Sequence, residues 1–104
     1  MKKLALISAV MAGAFVATPA LADPMASMTK AGCMVCHAKD KKLVGPSFQE
    51  IAAKYKGQGV EATLFEKVRK GGSGSFGPVP MAPNSPDKIN DADLKAAIDF
   101  ILKS

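Results

Sequence analysis

Cys33-Met34-Val35-Cys36-His37 is the stretch on which the reading of the whole chain turns. Its spacing, Cys-x-x-Cys-His, is the attachment signature of a c-type haem. Two thiols three positions apart can each form a thioether bond to one of the two vinyl groups on a haem edge. The adjoining imidazole then lies under the macrocycle, where it can ligate the iron. These are the only two cysteines among 104 residues, and His37 is the only histidine. Other uses of the motif fit less well. A thioredoxin-type pair would sit in a βαβ context, and no such pattern surrounds it. A structural zinc takes four Cys or His ligands, and the chain has three in all. A plain disulfide would close a tight loop and leave His37 without a purpose.

Upstream, residues 1–22 read as a signal peptide. Lys2 and Lys3 give a positive start, an apolar run covers 4–17, and Ala20-Leu21-Ala22 is an A-x-A cleavage site. About 14 apolar residues are short for a membrane span, and the polar Asp23 after the small-residue site favours cleavage over an uncleaved anchor. The mature chain is then a single domain, residues 23–104, with no later stretch apolar enough to insert into a membrane. Covalent haem attachment in bacteria takes place outside the cytoplasmic membrane, so signal and motif agree on the periplasm. A chain this short is marginal on its own core, and a buried haem would offset the deficit. Lys2 and Lys3 leave with the signal, so twelve of the 14 basic residues and all nine acidic ones remain, a net +3 before haem propionates are counted. Dispersed lysines and few aromatics on an exported chain argue against nucleic-acid binding.

Downstream, the pattern is helical with no strand-like alternation, no internal repeat and no dividing linker. Asp23-Pro24 supplies an N-cap and a proline at the first helical position, and Met25, Met28 and Ala31 or Gly32 recur at helical spacing on an inward face. Gly32 is expected to let this helix pack closely against another. Residues 38–45 read as a loop around the proximal side of a haem, and a backbone carbonyl near Pro46 is placed to accept from the free ring N–H of His37. Ser47-Phe48-Gln49-Glu50 is a capping box; it starts a helix with Phe48, Ile51, Ala52 and Tyr55 inward and Gly57 as its stop. A third helix is expected over 60–70. Val60, Leu64, Phe65 and Val68 face inward; Lys67, Arg69 and Lys70 suit its negative end, and one of them can approach a propionate. The last helix starts at Asn90, with Asp93 in the capping-box position and Ile89 stapled to Leu94. Leu94, Ala97, Ile98, Ile101 and Leu102 form its buried stripe, which is expected to cross the first helix.

Between the third and fourth helices, residues 71–86 are too rich in Gly and Pro for helix or interior strand. A loop of this length in a small domain is usually functional or disordered. Phe76, Val79 and Met81 within it argue for an ordered loop packed on the distal haem face. Met81 then offers its thioether sulfur as sixth ligand, with Pro80 and Pro83 stiffening the backbone around it. There is no second histidine, Met25 and Met28 read as core, Met34 sits inside the haem motif, and a lysine ligand, the remaining alternative, has no positional support.

Cys33-x-x-Cys36-His37, then Val44-Gly45-Pro46, then Gly77-Pro78-Val79-Pro80-Met81-Ala82-Pro83-Asn84 before a final helix together resemble the short class I cytochromes c of the cytochrome c-551 (cytochrome c8) family. The resemblance covers the whole mature chain. It implies an all-α, small class I cytochrome c fold, about four helices packed around one covalently attached haem c. It further implies His37 and Met81 as axial metal ligands, the Pro46 carbonyl as acceptor from His37, and Asn84 as the side chain that orients the Met81 sulfur. Relatives often carry Trp where this chain has Phe76, the indole N–H donating to a propionate. Phe has no such donor, so the propionate must find another partner or water.

The function expected is that of a soluble, monomeric periplasmic electron carrier in a respiratory chain, not an enzyme. His/Met ligation raises the potential and fills both axial positions. One haem edge is expected near the cysteines, ringed by Val35, Pro78 and Val79 with Lys39 and Lys42 further out, for brief contact with redox partners. The resemblance suggests a cytochrome bc1-type donor and a nitrite reductase or terminal oxidase as acceptor. The alternative, a haem-based peroxidase or gas sensor, needs an open distal site with activating polar groups, and no His or Arg accompanies Met81 in its loop. A haem-free helical module stapled by a disulfide would leave the Met81 loop unexplained.

Overall fold

Asp23 sets the first helix in place. Its carboxylate accepts from the Met25 N–H at 3.1 Å, and Pro24 occupies the position where no N–H is needed, so α1 runs Pro24–Lys30. The computed structural model describes residue 13 and residues 23–104; the expected signal peptide lies outside them but for that one residue. Among the described residues a short 3-10 turn, Cys33–Val35, follows α1. Then come α2 (Phe48–Tyr55), α3 (Glu61–Lys70) and α4 (Asp91–Leu102). The fold is all-α, and no helix among these residues is long and apolar enough to cross a membrane.

The helix ends obey local chemistry. At α2 both halves of the capping box are present: the Glu50 N–H donates to Ser47 Oγ at 3.0 Å, and the Ser47 N–H to Glu50 Oε2 at 3.3 Å. Asn90 caps α4 by accepting from the Asp93 N–H at 2.8 Å. The Asp93 carboxylate does not reach back to the backbone as a full box requires; it accepts from Asn90 Nδ2 at 3.1 Å. α3 starts at Glu61, one residue later than expected, because Val60 has no side-chain oxygen to cap it. Gly32 also differs from expectation. A Cβ built there meets nothing within 4 Å, so no helix packs on it; its φ of 85° shows that glycine is needed for a left-handed turn between α1 and the Cys33 turn.

α4 is the central element and packs on α1, α2 and α3. Its Leu94, Ala97 and Ile98 join Met28 of α1, Phe48 of α2 and Ile89 in one buried cluster. Full burial of each larger apolar side chain is worth roughly 1.5–3 kcal/mol. α3 contributes no fully buried residue. Its Leu64, Phe65 and Val68 pack against that cluster yet stay half-buried, and Leu64 and Val68 also border a cavity.

Candidate haem site

The 3-10 turn places the two cysteines and the histidine. Cys33 O accepts from the N–H groups of Cys36 at 3.2 Å and His37 at 3.0 Å, which winds Cys33, Cys36 and His37 onto one tight turn. Both thiols are free and half-buried. Burial pushes the Cys33 thiol above its ordinary value, and the neighbouring Cys36 adds in the same direction.

His37 is oriented from two sides. Its Nδ1 lies 2.7 Å from Pro46 O. A carbonyl can only accept, so Nδ1 carries the proton and Nε2 keeps its lone pair for a metal. Phe48 stacks on the ring at 5.9 Å and 25°. The loop that brings Pro46 here is tied by the Gly45 N–H donating to Cys36 O at 2.8 Å. A Cβ at Gly45 would lie 2.7 Å from His37 Cε1, so only glycine lets the loop pass this close to the imidazole.

Across the sequence, the Met81 loop returns to the end of α3. Met81 and Gly72 exchange main-chain hydrogen bonds, at 2.8 Å from the Met81 N–H and 3.0 Å from the Gly72 N–H. Gly71, with a φ of 69°, lies against the Met81 carbonyl so closely that any Cβ there would overlap it. Three residues on, the Asn84 N–H donates to Val68 O at 3.0 Å. The Asn84 amide Nδ2 donates to Ala82 O at 3.0 Å and Val68 O at 3.4 Å. In this structure Asn84 thus anchors the loop's own backbone to α3, with both Nδ2 protons directed to carbonyls.

One cavity of about 440 Å³ brings together Cys33, Cys36, His37, Pro46 and Met81. Asn84 is not part of its lining. Ile51, Leu64, Val68, Leu94, Ile98 and Ile101 are among the apolar side chains that wall it. The volume is typical of a cofactor site. The donor set is an imidazole nitrogen with its partner nitrogen already tied, a thioether sulfur, and two uncombined thiols on one turn, and it suits a covalently held haem.

Two arrangements were not legible in the sequence. Of the three basic residues at the end of α3, Arg69 is bound to Asn84, Ile89 and Asp91, and Lys70 pairs with Glu66 at 3.0 Å. Lys67 alone of the three lines the cavity. Phe76 packs edge-on against Tyr55 at 6.1 Å, under the Lys54 ammonium at 4.3 Å from its centroid, while Lys54 also donates to Ser75 O. Phe76 thereby fastens the loop to α2 by a cation–π contact. Neither link has a sequence signal, since each joins residues about 20 positions apart.

A Cys-x-x-Cys-His turn and a methionine loop lining one apolar cavity within four helices define a class: small all-α proteins that carry covalently attached haem. The known proteins agree. The cytochrome c family model matches residues 14–104. The chain is 57% identical to cytochrome c2 of Rubrivivax gelatinosus over 84 residues, 80% of this chain and 99% of that one. It is 50% identical to cytochrome c-551 of Azotobacter vinelandii over 72 residues, 68% of this chain and 84% of that one. The crystal structure of cytochrome c552 from Nitrosomonas europaea superposes with a TM-score of 0.68 at 39% identity, covering 76% of this chain and 96% of that one. The chain belongs to the cytochrome c family, as a class I cytochrome of the c-551 type. Its cofactor is haem c, and it transfers electrons to and from other proteins in generally transient contacts rather than acting as an enzyme.

Proposed function

We propose that residues 23–104, after removal of 1–22, form a periplasmic one-electron carrier between a cytochrome bc1-type donor and a nitrite reductase or terminal oxidase. Cys33 and Cys36 would hold the haem through two thioether bonds, and His37 and Met81 would ligate its iron. The observation that carries the reading is the meeting of His37 and Met81 in one apolar cavity, with Nδ1 of His37 already committed to Pro46 O. When bound, haem c supplies an iron that takes up and releases one electron. The protein's residues do the rest. Pro46 raises the basicity of the imidazole. Ile51, Leu64, Val68 and Ile98 keep water from the site, and the Gly72–Met81 pairing limits movement of the sulfur. Lys67, which lines the cavity from α3, is a cation available to a haem propionate. Val35 and Val79, 76% and 58% exposed, with Pro78 and the exposed Lys39 and Lys42, supply an apolar patch with a basic surround for brief docking.

The test is the visible spectrum of the purified holoprotein, oxidised and reduced, with carbon monoxide then added to the reduced form. Low-spin bands, a methionine–iron charge-transfer band and no response to carbon monoxide are expected. A high-spin spectrum, or prompt carbon monoxide binding, would overturn the closed His37/Met81 site in favour of a peroxidase or gas sensor. Met81→Ala should open the site, binding carbon monoxide and losing the charge-transfer band.

A further inference from the structure

Arg69 is drawn into the protein although it carries a full charge. Its side chain is only 13% exposed, and its guanidinium carbon lies 5.1 Å from the centroid of Phe65. Nη1 donates to the backbone carbonyls of Asn84 at 3.2 Å and Ile89 at 2.8 Å; Nη2 donates to Asp91 Oδ1 at 2.6 Å. The three acceptors lie on the returning leg of the distal loop, on the turn after it, and on the first turn of α4. Two nitrogens of one rigid planar fork serve all three at once, a preset geometry that the single nitrogen of a flexible lysine does not hold. The loop is thus pinned at Met81 by Gly72 and again at Asn84, three residues later, by Val68 and Arg69.

We propose that Arg69 is a positioning residue for the distal ligand: by clamping the returning leg of the loop to α3 and α4, it sets how often Met81 leaves the iron. The inference rests on Met81 being the axial ligand. Its consequence is kinetic, because an external ligand can reach the iron only while the sulfur is away.

The experiment measures the rate at which cyanide binds the oxidised holoprotein. Wild type is compared with R69K, R69Q, D91N and S47A. R69K keeps the charge and remains informative if R69Q matures poorly. R69K and R69Q are expected to bind cyanide at least about tenfold faster, the equivalent of ~1.4 kcal/mol, with a weakened methionine–iron charge-transfer band. D91N keeps both carbonyl bonds and should change the rate by less than about threefold. S47A removes the cap of α2 and touches none of the bonds made by Asn84 or Arg69; it should lower the denaturant midpoint and leave the cyanide rate near wild type. Rates for R69K and R69Q within about twofold of wild type would overturn the clamp, as would S47A matching their acceleration, since the effect would then be one of global stability. A wild-type protein without the charge-transfer band would overturn the Met81 reading itself, and that outcome is told apart by its spectrum before any cyanide is added.

Discussion

Gly45 shows how much one missing atom can settle. The carbonyl that holds His37 belongs to the next residue, and it reaches Nδ1 only because no Cβ stands between the loop and the ring. Gly45→Ala must push the loop or the imidazole by several tenths of an ångström, lengthening the bond to Pro46 O. A less basic imidazole donates less to Fe(III), so the reduction potential should rise. Loss of about 1 kcal/mol of differential hydrogen bonding corresponds to roughly 40 mV for a one-electron couple. Voltammetry of the variant holoprotein checks both sign and size, and a fall in potential would refute the argument. Phe48 is the companion case. It is 1% exposed, stacks on His37 and meets Phe100 edge-on at 6.5 Å. Phe48→Ala should cost about 3–5 kcal/mol in denaturant unfolding of the holoprotein, the range for a large aromatic removed from a core.

At the scale of elements, α4 is both a core helix and, through Asp91, an anchor for the Arg69 side chain that holds the distal loop. Asn90 caps it, and Asp91 in the same turn accepts from Arg69. Asn90→Ala should lower stability by about 1 kcal/mol in a denaturant titration. Its methionine–iron band should stay unchanged, because the carbonyls of Asn84 and Ile89 keep their Arg69 bonds. The α2 and α4 boundaries were readable in advance, since caps and periodic apolar positions are local signals. The start of α3 was less so: Val60 offers no capping group, and helix formation there is decided by what Leu64, Phe65 and Val68 pack against.

For the molecule as a whole, the cavity takes the place that a denser core would fill. α3 has no fully buried residue, and the walls of the cavity come from every helix. An apolar domain of about 80 residues with its centre withheld from packing is close to the limit of stability. The double variant Cys33→Ala/Cys36→Ala cannot retain haem covalently, and a ligand that binds only the folded state stabilises it by mass action. Circular dichroism should show a large loss of helix and a broad, non-cooperative melt compared with the holoprotein. A sharp native-like transition in the double variant would show that protein packing alone sustains the fold.

The amino-acid order by itself determined what depends on near neighbours. The Cys33–Cys36–His37 turn, the caps at Asp23, Ser47 and Asn90, the apolar stripe of α4 and the irregularity of the Met81 loop all follow from residues within a few positions of one another, where spacing fixes geometry. The tertiary structure alone decided which of three cations at the end of α3 faces the cavity, that Gly32 serves a turn rather than a helix contact, that Phe76 is held by Lys54 and Tyr55, and that Asn84 and Arg69 tie the distal loop to α3 and α4. Those contacts join residues far apart in the chain. Each exists only because folding brings a carbonyl, a ring or a guanidinium within bonding distance, and a side chain's chemistry does not name its partner until the backbone has chosen one.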